Sequence, residues 1–411
     1  MIDFKKYSLP NGLTVLLHRD NSTPLIAVNI LYKVGSKNED PTKTGFAHLF
    51  EHLMFGGSKF VPDYDIPIQE AGGDNNAFTN SDITNFYNVL PKENLETALW
   101  LESDRMLQLN INQRSLDVQK KVVVEEFYET SINQPYGNLW HKLSETAFKV
   151  HPYKWPTIGA EVAHIEKAHL DDVQDFYLKN YRPNNAILAI AGNFEEDDAI
   201  DKIEKWFGDI TPGEINQMIP TEEPHQDEFR QVILADKVPA DALFMAFHMP
   251  GRMHPDFAAY DVLSDILSGG RSSRFYQNLL KNEDIFSSVS AYITGSVDPG
   301  LFVIESKLVN KGKIEEARRL IWKELEALKQ SVIDPVELQK VKNGLISSIS
   351  FSEVSIIHKA INLAYFEMLG DADLINKQEE DYVKITSEDL QRVAKTILNK
   401  ENCTEVVYQN D

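Results

Sequence analysis

The sequence predicts an α+β fold of two homologous halves, each a mixed or antiparallel sheet with helices packed on it. Three observations carry this reading. Apolar or alternating runs, such as residues 13–18, 24–34, 186–191 and 243–248, take turns along the chain with amphipathic stretches of helical period. A strand–loop–helix–glycine-pair layout occurs twice, ending at Gly56-Gly57 and at Gly269-Gly270. Between the copies lies a stretch with Pro212, Pro220 and Pro224, many acids and no apolar period, the best linker in the chain. The expected division is residues 1–212, a linker over 213–228, and residues 229–411. A chain of 411 residues also exceeds what one core usually holds.

The elements follow from local pattern. Residues 4–19 alternate and break at Pro10-Asn11-Gly12, a hairpin signal. Residues 24–34, PLIAVNILYKV, read as a long apolar strand. A polar loop over 35–44 leads into Gly45-Phe46-Ala47-His48-Leu49-Phe50-Glu51-His52-Leu53-Met54-Phe55-Gly56-Gly57, one amphipathic helix closed by glycines. Residues 64–71 read as helix, and residues 74–91 as two extended segments, polar at alternate positions. Helices are expected at 92–109, 115–130, 137–148 and 168–180, then the strand 186–191 and a helix at 195–207. Past the linker, strands at 229–234 and 243–248 lead to a helix at 255–267.

Composition narrows the function classes. The net charge of −22 argues against nucleic acid as the main partner, because phosphate binding needs a basic footprint. No run of 18 apolar residues is present, so no membrane-spanning helix is expected. The single cysteine, Cys403, allows neither an intrachain disulfide nor a multi-cysteine metal site, and its strand-like surroundings point to packing. The opening Met1-Ile2-Asp3-Phe4-Lys5-Lys6-Tyr7 has no apolar leader core, which fits a cytoplasmic protein and equally a periplasmic one whose leader has been removed.

The chemistry is concentrated in the helix of residues 45–57. His48 and His52 stand four residues apart and share one helix face. Two imidazoles so placed can hold one Zn²⁺, each about 2.0–2.1 Å from the metal. Glu51 overhangs the same face, where a carboxylate can take a proton from a water whose pKa zinc lowers to roughly 7. The order His-x-x-Glu-His inverts the commoner zinc motif and is the inverzincin signature. The plain alternative is two ordinary helix histidines beside a solvated acid. When the two glycine pairs are aligned, Asp261, Ser264 and Asp265 fall on His48, Glu51 and His52. The second half keeps the frame without the metal set, so one Zn²⁺ per chain is expected. A catalytic zinc takes three protein ligands and one open position. Helix 115–130 offers Glu125, Glu126 and Glu129, and spacing does not choose among them. The run Val122-Val123-Val124 is expected to put part of this helix in a core.

The chain resembles the M16 metallopeptidases, the pitrilysin, insulysin and mitochondrial processing peptidase group, and most of all its short bacterial members. Nearly the whole length takes part. The residues that carry it are His48-Leu49-Phe50-Glu51-His52; Gly72-Gly73 with Asn76-Ala77-Phe78-Thr79 and Asp82; Val122 to Glu126; and Asn133-Gln134-Pro135-Tyr136-Gly137. Further along they are His151-Pro152-Tyr153 with Trp155-Pro156 and Gly159, Tyr181-Arg182-Pro183-Asn184-Asn185, and Gly270-Arg271-Ser272-Ser273-Arg274. The resemblance implies zinc on His48, His52 and Glu126, with Glu51 as the base. The family often has an acid seven residues before its third ligand, where this chain has Gln119. It also implies that Asn76, Ala77 and Phe78 form the edge onto which substrate adds as a β-strand, held by main-chain hydrogen bonds; the residues alone read equally as an ordinary hairpin. In the family, the second half or a partner subunit supplies an Arg and a Tyr that hold substrate. Lys281 and Ser287 stand at those positions here. Lysine keeps the charge and loses the planar fork, and a serine cannot reach where a phenol reaches. The expectation is a zinc endopeptidase for short unstructured peptides. It would act as the zinc-bearing subunit of a heterodimer closing around a chamber, a homodimer being the other arrangement. The alternative is a catalytically silent core or peptide-binding subunit of a larger complex.

Overall fold

The computed structural model describes residues 1–214, 219–309 and 311–410. Residues 215–218 of the expected linker lie outside the described residues. The architecture is the expected α+β arrangement of two sheets with helices on them. The chain forms two compact units. The first comprises Met1–Phe127, Pro156–Pro220 and Ser350–Lys377; the second comprises Tyr128–Trp155, Thr221–Ile349 and Gln378–Asp411. Each unit thus takes one segment from the other half of the sequence.

The first unit is built on strands β1 (Lys5–Ser8), β2 (Thr14–Arg19), β3 (Leu25–Tyr32), β4 (Asp74–Thr79), β5 (Thr84–Pro91) and β6 (Ala186–Gly192). They form a sheet in the order β1-β2-β6-β3-β5-β4. Only β2 and β6 pair in parallel; the other neighbours are antiparallel. β3 and β6 lie mid-sheet and are covered on both faces, so they read as apolar runs, broken in β3 only by the buried Asn29. On one face Val28, Ile30, Leu188 and Ile190 pack with Phe46, Leu49 and Phe50 of the helix Phe46–Leu53. On the other face Ala27, Leu31, Ala189 and Ala191 meet Ala360, Leu363 and Ala364 of the helix Ile356–Met368. Alanine on both sides of that contact lets helix and sheet backbones approach closely. Lys359 Nζ adds an ion pair to Asp20 Oδ2 at 2.8 Å.

The second unit holds β7 (Arg230–Asp236), β8 (Ala242–Met249), β9 (Phe286–Ile293), β10 (Gly300–Leu308) and β11 (Cys403–Asn410), in the order β7-β11-β8-β10-β9. β7 and β11 are its parallel pair. One face carries the helices Phe257–Ser268, Ile314–Gln330 and Ser387–Ile397. The other is covered by Leu139, Leu143 and Ala147 of the helix Leu139–Ala147, against Phe244, Ala246, Val303 and Val406. Cys403 is buried in β11, and burial pushes its thiol well above the usual range. Among the described residues no helix is long and apolar enough to cross a membrane.

Candidate metal centre

The helix Phe46–Leu53 begins at Gly45, whose φ of 87° is a left-handed conformation that glycine adopts without strain. A Cβ there would stand 2.8 Å from the Ile158 carbonyl oxygen. No side chain of the usual capping kind sits at this helix start. Instead the buried carboxylate of Glu39 reaches in, accepting the N–H of Gly45 at 2.9 Å and of Ala47 at 2.8 Å. That satisfies donors the helix cannot satisfy itself and places negative charge at its positive end. Phe46, Ala47, Leu49, Phe50 and Leu53 are buried, which turns His48, Glu51 and His52 to the partly exposed face.

The third member comes from the helix Gln113–Phe127. Glu126 Oε1 lies 3.6 Å from His48 Nε2, and Glu126 Oε2 lies 3.3 Å from His52 Nε2. The two imidazoles meet edge-on, with centroids 4.9 Å apart. One ligand atom from each of His48, His52 and Glu126 falls within a 4.8 Å cluster, the one such group among the described residues. Glu125, the neighbouring candidate, points to solvent. Of the valine run Val123 is fully buried and Val124 packs half-buried against the same core, while Val122 is 44% exposed, so the run seats the helix by two side chains rather than three. A further clasp holds the helix start. Thr44 Oγ1 lies 2.8 Å from His164 Nδ1 and accepts the N–H of Ala160 at 2.7 Å. His164 belongs to the short helix Val162–Glu166, which packs on the helix carrying Glu126.

The electrostatics suit a cation. Burial pushes the His48 imidazolium below its ordinary pKa, which favours the neutral ring a metal needs. The hydrogen bond from His52, then the charges of both histidines, draw the Glu126 carboxyl below the usual range. Two imidazole nitrogens and one carboxylate oxygen, converging from two helices, fit a divalent ion of the zinc type with a position left open.

Glu51 sits beside this cluster, and its Oε2 accepts the hydroxyl of Thr79 at 2.6 Å. Thr79 is the last residue of β4, the edge strand of its sheet. Asn76, Ala77 and Phe78 lie on that edge, Ala77 packing toward the metal-helix face and Phe78 toward the other. The Ala77 N–H is held by the Asn76 side chain at 2.8 Å. Lys281 and Ser287 lie in the second unit. Lys281 is exposed, its Nζ 3.5 Å from Gln277 Oε1; Ser287 is exposed on β9 and donates to the Lys307 carbonyl at 3.1 Å. Sequence reasoning does not single out Glu39, and it names Thr79 only as part of the Asn76-Ala77-Phe78-Thr79 run, with no role of its own. Glu39 has no capping-box spacing to betray it. Thr79 could be placed on the metal-helix face by strand alternation from Phe78, but its partner could not be named.

A duplicated α+β chain whose first half gathers two histidines and a carboxylate matches one known family over both halves. The family model described as Insulinase (Peptidase family M16) covers residues 14–161, and that described as Peptidase M16 inactive domain covers residues 167–345. The chain belongs to peptidase family M16. The zinc protease PqqE of Helicobacter pylori is 29% identical over 394 residues, 94% of this chain and 88% of that protein. The uncharacterized zinc protease YmxG of Bacillus subtilis is 26% identical over 354 residues, 85% of this chain and 84% of that protein. The crystal structure of a protease from Helicobacter pylori superposes with a TM-score of 0.94 at 28% identity, covering 100% of both chains.

Proposed function

We propose that this chain is the zinc-bearing subunit of an endopeptidase that cleaves short, unstructured peptides. The observation that carries the reading is the convergence of His48, His52 and Glu126 beside Glu51, with the edge strand β4 hydrogen-bonded to that same glutamate. The names of the relatives support zinc as the metal.

His48, His52 and Glu126 would hold the ion. Zinc bound there would supply a Lewis acid that polarises the scissile carbonyl and acidifies an attacking water. Glu51 Oε1 accepts the water's proton and returns it to the leaving amine. The outer edge of β4, at Asn76, Ala77 and Phe78, receives the peptide main chain as an added strand, which reads extension rather than side chains. Lys281 and Ser287 do not reproduce the Arg and Tyr expected to grip substrate, so a homologous partner subunit supplies them. The intact Glu51 speaks against a silent core subunit, because a non-catalytic frame has no use for the base.

The test is hydrolysis of a mixed set of unstructured peptides, with and without chelator, by the chain alone and with co-purified partners. Chelator-sensitive cleavage that requires a partner is the expected result. Full activity of the lone chain would remove the partner from the proposal. A zinc-replete sample that cleaves nothing in either form would remove the peptidase.

A further inference from the structure

We infer that Thr79 is a positioning residue for Glu51, seating the base from the end of the edge strand. The inference rests on the reading of Glu51 as proton acceptor. The hydroxyl of Thr79 donates to Glu51 Oε2 at 2.6 Å across 28 residues of sequence. It is the only hydrogen bond to that carboxylate among the described residues. A glutamate on a partly exposed helix face has several rotamers open to it, and each wrong one removes the base from its water. One hydroxyl fixes one oxygen and leaves Oε1 for the proton. The donor is itself stiff, because a β-branched side chain is restricted at χ1.

What makes Thr79 a reference point is the bracing around it. β4 ends at Thr79, paired with Thr84, and the hairpin turns through Asn80. Asn80 Oδ1 accepts the N–H of Asp82 at 2.8 Å and of Ile83 at 2.9 Å. The turn is clasped from outside by the loop after β3. Ser36 N–H donates to the Asn80 carbonyl at 3.2 Å, Lys37 N–H to the Ser81 carbonyl at 3.0 Å, and Lys37 Nζ lies 2.8 Å from Asp82 Oδ1. Gly35 is packed so tightly on this turn that a Cβ would lie 2.5 Å from the Asn80 carbonyl oxygen. Three residues past Ser36, the same loop delivers Glu39 to the start of the metal helix. One short loop therefore fixes both the end of β4 and the beginning of the helix that carries Glu51. The Thr79–Glu51 hydrogen bond closes the ring. A peptide added along β4 meets the same strand that seats the base.

The experiment compares Thr79→Val, Thr79→Ser and Glu51→Gln in the zinc-loaded protein, with its partner subunit wherever cleavage needs one. The readouts are kcat and KM on an unstructured fluorogenic peptide, and zinc affinity of the apo protein by competition with a chromophoric chelator. Thr79→Val, which keeps the shape and loses the hydroxyl, should lower kcat by about tenfold or more, with KM and zinc affinity within about twofold. Thr79→Ser should stay within about threefold of the parent on kcat, because it retains the donor. Unchanged kcat in Thr79→Val, equal losses in the valine and serine variants, or a parallel fall in zinc affinity would each overturn the inference. Glu51→Gln tells the two failures apart. If it remains active, the proposed base is wrong. If it is inactive while Thr79→Val is normal, the base stands and only the role of Thr79 falls.

Discussion

Leaving β1 aside, the two sheets share one strand order, β2-β6-β3-β5-β4 against β7-β11-β8-β10-β9, with the parallel pair at the same place. Each has a helix after its central strand, Phe46–Leu53 after β3 in one and Phe257–Ser268 after β8 in the other. The first presents His48, Glu51 and His52; the second presents Asp261, Ser264 and Asp265 at the corresponding positions. In the second helix the polar face is turned to structural use. Tyr382 donates to Asp261 Oδ2 at 2.6 Å, and Ser264 Oγ donates to the Asp261 carbonyl at 2.8 Å. Burial pushes the Asp261 carboxyl up, and burial with the charge of Asp261 does the same to Asp265. The same frame thus carries a candidate cation site in one unit and a pair of reluctant acids in the other. The frame sets where the helix lies; three side chains and one more acid from a second helix decide what it does.

The comparison can be broken most directly at Glu51. Glu51→Gln should lower peptide cleavage by about 10²–10⁴-fold while zinc content stays at the parent level. Ser264→Ala, its counterpart, should leave cleavage unchanged. Next in size is an exchange of ligands. His48→Asp with His52→Asp recasts the first helix as the second and should weaken zinc at least about a hundredfold in a competition titration. The reverse exchange, Asp261→His with Asp265→His, should not raise the stoichiometry above one zinc per chain, since no third ligand joins those positions among the described residues. A third comparison concerns the covering helices. Leu363→Ala and Leu143→Ala each empty a fully buried site, and each should cost about 2–5 kcal/mol in denaturant unfolding. A negligible loss at either would show that its helix is not integral to that sheet. The smallest effect is expected at Asp261→Asn. A carboxyl whose folded pKa is raised contributes stability at low pH that is lost as pH rises through the folded value. The variant should therefore melt slightly higher than the parent at neutral pH and show no gain at pH below the ordinary carboxylate range. A gain at low pH instead would contradict the assignment of a strained acid.

Much of this was legible in the sequence, for definite physical reasons. The run over residues 24–34 is apolar at most positions, buried Asn29 and half-buried Lys33 apart, because β3 is covered on both faces. His48, Glu51 and His52 share a face because helical spacing allows nothing else. The choice of Glu126 over Glu125 was beyond spacing, since adjacent residues on a helix differ only by the rotation of a surface not yet known. The valine run does put part of its helix in the core, through Val123 and Val124, while Val122 stays 44% exposed, because a hydrophobic side chain records a tendency to be buried and not a partner. Least legible was the exchange of helices between the two halves of the sequence. The helix Ile356–Met368 carries an apolar stripe of Ala360, Leu363 and Ala364, and that stripe names no sheet. Only the alanine-lined face of β3 and β6 selects it.

That exchange also sets a timetable. β6, the last strand of the first sheet, is complete once Gly192 has been made, yet the helix that covers Ala189 and Ala191 starts only at Ile356. At roughly 5–20 residues per second, the nascent sheet waits on the order of ten to thirty seconds with one apolar face uncovered. The helix Leu139–Ala147 has the opposite problem: it emerges before any strand of the sheet it will cover. Each half of the sequence therefore completes its core only with a segment of the other, and one sheet face and one helix stay unpaired until Ile356–Met368 and Cys403–Asn410 have been made.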